Sequence, residues 1–196
     1  ACEVVLDVTR APQGYAHGAA LLEAGVRPVI GTSGVDEDQC RALDDLARSQ
    51  GIGGIVVPNF SLGALVMQRA AELAAEHIGR FEIVEMHHER KHDAPSGTAR
   101  FTADRLAEVR GLDPADVPIH SLRLPGAYSN QEVVFGSEGE WLRLRHETYD
   151  LGSFRAGLLA SLRYAATATG VARGLGPAWD AEQERRSGSE PGGSRG

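Results

Sequence analysis

The sequence lacks the features that identify several classes of protein. Its only two cysteines, Cys2 and Cys40, allow neither a disulfide framework nor a Cys-x-x-Cys metal site. No apolar run approaches the roughly 20 residues that a membrane-spanning helix needs. The net charge is −7, and no basic cluster is placed to neutralise phosphates, which argues against nucleic acid as a partner. An anionic small molecule remains possible, because it needs only local positive charge.

The composition that remains is that of a folded globular protein. The 196 residues are 42% hydrophobic and 24% charged, which is ordinary for a chain that buries a core. The exception is the stretch from Gly174 to the end, which is rich in Gly, Ser, Pro and charge. We expect residues 174–196 to be a disordered tail.

The first 60 residues alternate between short apolar strands and helices. Asp36 and Gln39 have the spacing of a capping box at the start of the second helix, and Gly51 follows its end. Strands with helical crossovers predict a parallel α/β sheet, here part of a doubly wound, Rossmann-like nucleotide-binding sheet. The predicted elements, strand and helix in turn, are 3–8, 13–24, 27–31, 36–50 and 53–57.

The pattern changes at about residue 61. A long helix is predicted from Leu62 to Ile78, and residues after Pro118 are mostly β. This favours an α+β domain with a mixed or antiparallel sheet, followed by a closing helix over 153–171. The predicted strands here are 119–124, 131–136 and 140–146. The predicted divisions are 1–61, 62–150, 151–173 and 174–196.

The run from Glu82 to Thr98, EIVEMHHERKHDAPSGT, concentrates chemically useful side chains between an apolar strand and an amphipathic helix. His87 and His88 would point to opposite faces if the strand continued through both. Both can therefore serve one pocket only if regular structure ends at this pair. From residue type alone, adjacent histidines at a strand end are more often structural or surface residues. Side chains of the types that bind zinc occur at Glu85, His87, His88, His92 and Asp93, but their spacing matches no metal motif, so no metal site is predicted.

The end of this run predicts a binding site for an anion. Ser96, Gly97 and Thr98 lie at the start of the helix, where backbone N–H groups and the positive end of the helix dipole favour a carboxylate or phosphate. Gly97 allows close approach of a ligand, and either hydroxyl can cap the helix. Lys91 is the strongest candidate proton donor, since an ammonium group can both anchor an anion and donate a proton.

The string H-H-x-x-K-x-D-A-P-S-G-T-A at residues 87–99 closely resembles the signature of the 4-hydroxy-tetrahydrodipicolinate (dihydrodipicolinate) reductase family. Further stretches resemble the same family in the same order, over roughly residues 3–172. They are Asp7-Val8-Thr9, Gly31-Thr32-Ser33-Gly34, Pro58 to Gly63, Arg123 to Gly126, Gln131 to Gly136 and Arg145-His146.

The resemblance implies a cytoplasmic, homotetrameric reductase of the diaminopimelate route to lysine, in which the α+β substrate/oligomerisation domain at residues 62–150 binds the substrate and forms the tetramer. It implies that NADH or NADPH reduces a small cyclic dicarboxylate to tetrahydrodipicolinate. It gives Lys91 the role of proton donor and His87 that of donor or acceptor, and it places His88, Ser96, Gly97 and Thr98 against the substrate. Asn130 departs from the family, which often has histidine there.

The resemblance also implies a cofactor site at the carboxyl ends of two parallel strands, where open α/β sheets bind ligands. By itself a Gly-Thr-Ser turn is more often an ordinary loop, and Ser33 departs from the family's commoner threonine. The residues implied to approach the nicotinamide are Gly31, Thr32, Ser33, Val57, Pro58, Asn59 and Phe60.

Two alternatives remain at this point. The family's first strand, glycine-rich loop and ribose-reading strand are not recognisable before Val4, so we expect a fragment, or a divergent start, that binds NADH or NADPH feebly. One alternative is therefore an inactive dicarboxylate-binding or assembly module derived from the family. The other, a semialdehyde dehydrogenase, needs a nucleophilic cysteine, and neither Cys2 nor Cys40 lies in a suitable loop.

Overall fold

The computed structural model describes residues 2–187, which divide into two compact units. The first unit comprises the chain up to Phe60 and again from Ala156, and the second is the continuous segment Ser61–Arg155. The predicted α/β class is confirmed, with one parallel and one mixed sheet. No helix within the described residues is long and apolar enough to cross a bilayer.

The first unit is built on a four-stranded parallel sheet in the order β1-β2-β3-β8. The predicted capping box is confirmed, since Asp36 accepts from the N–H of Gln39 at 2.8 Å and the Gln39 side chain accepts from Asp36. Gly25 and Gly51 follow the first two helices with positive φ, as a left-handed C-terminal residue requires. The elements are β1 (Val4–Asp7), α1 (Gly14–Glu23), β2 (Arg27–Ile30), α2 (Glu37–Ser49), β3 (Gly53–Val56), α5 (Arg155–Thr167), β8 (Gly170–Arg173) and α6 (Gly176–Ser187).

Two elements of this unit differ from the sequence prediction. The predicted closing helix ends at Thr167, and the residues beyond it form β8, because Gly170 takes φ +84° and the chain then pairs in parallel with β3. The predicted disordered tail is wrong for residues 176–187, which form α6. Its Ala178 is buried, and its buried Glu182 binds Arg163 of α5 at 3.4 Å. Residues 188–196 lie outside the described part of the chain.

The second unit is a mixed four-stranded sheet with two helices on one face. The sheet order is β5-β4-β6-β7, in which β4 and β5 are parallel and the other neighbours antiparallel. Its elements are α3 (Leu62–His77), β4 (Arg80–His87), α4 (Gly97–Arg110), β5 (Ile119–Arg123), β6 (Ser129–Ser137) and β7 (Glu140–His146).

Alternation along β4 decides what this sheet buries. Phe81 and Ile83 point toward α3 and α4, where they join alanines of both helices and Leu106 in one apolar core. The opposite face carries Glu82, Val84 and residues of β6 and β7, and it lines an open groove of about 920 Å³. Glu85 and His87 are the next alternate residues of β4, so they lie on the same helix-covered face as Phe81 and Ile83.

Candidate active site

Strand β4 delivers Glu85 and His87 to the buried face of the second unit. Both side chains follow Phe81 and Ile83 in the alternation of the strand, and both are buried. The predicted break between the two histidines is confirmed, because β4 ends at His87. His88 already lies in the following loop, where its side chain is exposed.

Glu85 lies at the centre of the site and is completely buried. Its carboxylate accepts hydrogen bonds from both terminal nitrogens of Arg123 on β5, at 2.9 and 2.8 Å. The Nδ1 of His87 lies 2.5 Å from the same carboxylate. Burial alone would raise the pKa of Glu85, but hydrogen bonds from His87, Arg123 and Ser121 outweigh it and lower this pKa to about 2. Glu85 is therefore an anion at neutral pH.

The loop after β4 is held by the same arginine. Arg123 donates to the backbone oxygens of Lys91 at 3.3 Å and Asp93 at 2.6 Å. The Lys91 ammonium lies 2.8 Å from the Asp93 carboxylate. Burial of Asp93 would raise its pKa, but the hydrogen bond and charge of Lys91 lower it. Lys91 thus stands beside a carboxylate, on a loop whose backbone is fixed to the sheet.

The predicted anion site coincides with the start of α4. Ser96 is the N-cap, and its hydroxyl accepts from the N–H of Ala99 at 3.2 Å. The N–H of Ser96 donates to Glu85 at 3.2 Å, which ties the helix start to the buried carboxylate. Gly97 and Thr98 form the first turn of the helix. The structure therefore brings His87, Lys91 and Ser96 around the Glu85–Arg123 pair.

Sequence reasoning missed the role of that pair. Glu85 appeared only among possible metal ligands, and Arg123 only within a family motif. The signal was present in β4, because Glu85 occupies the alternate position that continues the apolar face of Phe81 and Ile83. A carboxylate there must be paired. Within residues 2–187, no three His, Cys, Asp or Glu side chains converge as metal ligands.

A second polar arrangement joins α3 to the end of β7. Ser61, the N-cap of α3, lies 3.0 Å from the Nε2 of His146. A side chain at Gly63 would begin 2.6 Å from the His146 ring, so this glycine permits the contact. Burial lowers the pKa of His146, against a raising influence of Glu147. Asn130, which replaces the family's usual histidine, accepts from the N–H of Thr148 at 3.0 Å.

In the first unit, the predicted cofactor residues follow the carboxyl ends of two adjacent parallel strands. Gly31, Thr32 and Ser33 follow β2, and residues 57–60 follow β3. Val57 donates its N–H to the oxygen of Ile30 at 2.8 Å, so the two segments start side by side. A side chain at Gly31 would begin 2.6 Å from the Phe60 ring, so any larger residue there would require this ring to move.

Asp7, at the end of β1, holds these loops together. Its buried carboxylate accepts from the Thr32 hydroxyl at 2.9 Å, from the Thr9 N–H at 2.9 Å, and from His17 at 3.1 Å. Burial would raise the pKa of Asp7, but its hydrogen bonds with Thr9, Thr32 and His17 lower it. The Thr32 side chain therefore faces inward, where it fixes the loop.

Comparisons with known proteins cover almost the whole described chain. A family model for the dihydrodipicolinate reductase N-terminus matches residues 1–60, and one for the C-terminus of the same enzyme matches residues 63–175. The chain is 39% identical over 178 residues to the 4-hydroxy-tetrahydrodipicolinate reductase of Bacillus subtilis, covering 82% of this chain and 67% of that protein. It is 39% identical over 191 residues to that of Synechocystis, covering 88% and 70%.

A solved structure agrees with these matches. The dipicolinate-bound dihydrodipicolinate reductase from Paenisporosarcina sp. TG-14 has a TM-score of 0.68 and 39% identity, and it covers 88% of this chain and 72% of that one. The similarity therefore extends through both units.

Proposed function

The chain belongs to the dihydrodipicolinate reductase family, and from this premise we propose that it reduces 4-hydroxy-tetrahydrodipicolinate to tetrahydrodipicolinate with NADPH or NADH. The observation that carries the proposal is the grouping of His87 and Lys91 with the start of α4 around the Glu85–Arg123 pair. Both candidate catalytic residues are present with partners, so nothing favours an inactive module.

The first unit has a parallel sheet of the kind whose strand carboxyl ends bind nucleotides in open α/β folds. When bound, NADPH or NADH supplies the hydride. We place the nicotinamide end at Gly31, Thr32, Ser33 and residues 57–60. Because the Thr32 hydroxyl is already bound to Asp7, the contacts available from this turn are its backbone groups and the Ser33 side chain. The choice between the two cofactors is tested by comparing kcat/KM for each.

In the second unit, Lys91 supplies the proton that completes reduction of the carbon skeleton. Its partner Asp93 stays ionised because its pKa is lowered, and it therefore holds the ammonium in place before the transfer. His87 acts beside it, as donor or acceptor toward the substrate ring. His88 lies exposed after β4 and contributes to substrate binding from the edge of the site.

Ser96, Gly97 and Thr98 bind a carboxylate of the cyclic substrate. The start of α4 offers backbone N–H groups and the positive end of its dipole, and Ser96 already directs its own N–H inward to Glu85. A ligand of the dipicolinate type has two carboxylates, of which one meets this helix start and the other the Lys91 ammonium.

Replacing Thr98 with alanine is expected to raise KM roughly 5- to 20-fold while kcat changes little, because a ground-state contact to a carboxylate is lost. Steady-state NADPH oxidation measures both constants, and titration calorimetry with dipicolinate measures the loss of binding directly. Thr167→Ala, at an exposed position in α5, is the matched control. Unchanged KM and unchanged dipicolinate affinity would remove Thr98 from the substrate site.

The open face of the second unit's sheet is proposed to assemble the protein as a homotetramer. Trp141 is exposed on this face, and the guanidinium carbon of Arg143 lies 5.1 Å from the centre of its ring. The half-buried Val134 of β6 lines the same groove. An apolar patch rimmed by charge is typical of an interaction surface.

We expect a tetramer in sedimentation velocity, and dissociation of it by Trp141→Asp, which introduces a charge into the patch. Leu73→Asp, on the outer face of α3, replaces an exposed leucine outside the groove and serves as control. A monomeric unsubstituted protein, or a Trp141→Asp variant that stays tetrameric, would contradict this assignment.

A further inference from the structure

The buried carboxylate of Glu85 has a fixed set of donors. Its Oε1 accepts from the Nη2 of Arg123 at 2.8 Å and from the N–H of Ser96 at 3.2 Å. Its Oε2 accepts from the Nη1 of Arg123 at 2.9 Å and lies 2.5 Å from the Nδ1 of His87. An ionised carboxylate can only accept hydrogen bonds. The nitrogen of His87 that faces it must therefore carry a proton.

This requirement has a consequence for the imidazole ring. A neutral histidine carries one ring proton, so a proton on Nδ1 leaves Nε2 with a lone pair. When His87 is protonated, Nε2 becomes a donor and Nδ1 does not change. All proton exchange with a substrate then takes place at Nε2, because Nδ1 keeps its proton in both states of the ring.

We propose that Glu85 and Arg123 are positioning residues for catalysis, which lock His87 in the Nδ1–H tautomer and hold the Lys91 loop in the same arrangement. The kinetic part of this inference rests on the proposed reductase function. Arg123 performs both tasks because its guanidinium is planar and has five donors. Two of its hydrogen bonds go to the Glu85 carboxylate and stabilise this buried anion. Two others go to the backbone oxygens of Lys91 and Asp93.

An ion pair that served stability alone would not need the histidine. The second unit contains such a pair, in which Arg105 on α4 binds both oxygens of Glu72 on α3, at 2.9 and 3.4 Å. It joins two helices, and Arg105 also binds Glu108 of its own helix, which is not a candidate catalytic residue. The Glu85–Arg123 pair differs because it contacts His87 directly and holds the backbone of Lys91. The Glu72–Arg105 pair is therefore a control for the loss of a carboxylate–arginine pair that does not contact the imidazole.

Glu85→Gln is the variant that separates these roles, since an amide has one acceptor oxygen in place of two. With the oxygen in the Oε1 position, the amide keeps the donors from the Nη2 of Arg123 and from Ser96 and loses the one from Nη1. Its NH2 group then faces Nδ1 of His87, whereas the flipped amide would lose both the Nη2 and the Ser96 donors. A donor in that place drives the ring proton to Nε2. Glu85→Asp keeps an anionic acceptor and is expected to preserve the Nδ1–H tautomer.

The test is nitrogen NMR of histidine-labelled protein at a pH where the ring is neutral, with His87→Gln used to assign the signals. The unsubstituted protein, Glu85→Asp and the control Glu72→Gln should show a proton on Nδ1 of His87, and Glu85→Gln a proton on Nε2. An Nε2–H tautomer in the unsubstituted protein would overturn the inference, even if Glu85→Gln does not fold. A Glu85→Gln variant that keeps the Nδ1–H tautomer would overturn it as well.

Steady-state kinetics complete the test. Glu85→Gln should lower kcat at least 10-fold with little change in KM and should alter the pH profile of kcat, while Glu72→Gln changes neither. Partial recovery of kcat in Glu85→Asp supports positioning, and normal kcat in Glu85→Gln overturns it. If the unsubstituted protein shows no reductase turnover, the proposed function fails, and the NMR result alone decides whether the pair locks the tautomer.

Discussion

Lys91→Ala is expected to lower kcat about 100-fold or more, the usual scale for loss of a general acid. The substitution removes the proposed proton donor and leaves the lowered-pKa carboxylate of Asp93 without its cation. A group that acts mainly in the transition state changes kcat and kcat/KM together. Steady-state oxidation of NADPH or NADH by the protein provides the measurement.

Two further substitutions separate the loss of a positive charge from the loss of the proton donor. Arg90→Ala removes the same charge from the exposed neighbouring position and should leave kcat within about 2-fold of normal. Lys91→Arg keeps the cation but donates a proton poorly, because the arginine pKa is far above neutral. If Lys91→Ala instead raised KM with near-normal kcat, Lys91 would be only an anchor for a substrate carboxylate.

Arg123→Ala is expected to cost roughly 3 to 5 kcal/mol of folding stability, since it leaves a buried carboxylate without its charge partner. Glu85 is fully buried, and the arginine side chain is 18% exposed, so water cannot replace the lost contacts. The same change frees the backbone oxygens of Lys91 and Asp93. Urea unfolding followed by circular dichroism measures the free-energy difference.

The pH dependence of this loss has a definite sign. In the unsubstituted protein the pKa of Glu85 is about 2, below the ordinary 4.5, so the pair stabilises the fold above pH 4.5 and this contribution is lost toward pH 2. Without Arg123, burial favours the neutral carboxyl. The loss of folding stability in Arg123→Ala, relative to the unsubstituted protein, should therefore be largest at neutral pH and become smaller as the pH falls below 4.5. Arg105→Ala, in a more exposed pair, should cost under about 1 kcal/mol.

The regular elements of the first 60 residues were predictable because their signals are local. The capping box at Asp36 and the glycines at 25 and 51 mark helix ends through backbone geometry that few other residues allow. Strands β2 and β3 are nearly continuous apolar runs, as expected for strands covered on both faces.

The last third of the chain was predicted less well because long-range contacts form it. Strand β8 has only four residues, and its pairing with β3 fixes it as a strand. Helix α6 has a composition typical of a disordered tail, yet Leu175 and Ala178 are buried in the first unit, and Arg185 and Arg186 surround Glu182. Composition alone carries no information about such partners.

In the candidate site, too, the residues with a local sequence signal were predictable and those that meet through long-range pairing were not. The string from His87 to Ala99 indicated the chemistry, and the end of β4 at His87 followed from strand alternation. The pairing of Glu85 with Arg123 joins residues of two strands, and only the register that sets Arg123 opposite His87 reveals it. Sequence spacing could not supply that register.

The discontinuity of the first unit has a consequence for synthesis on the ribosome. The second unit is one uninterrupted segment, so it can fold as soon as residue 155 has emerged. The first unit must wait for β8, and until then β3 has no neighbour on one side. At about 5 to 20 residues per second, that strand edge is open for on the order of ten seconds. We therefore expect nascent chains halted between residues 60 and 170 to be the species most in need of a chaperone.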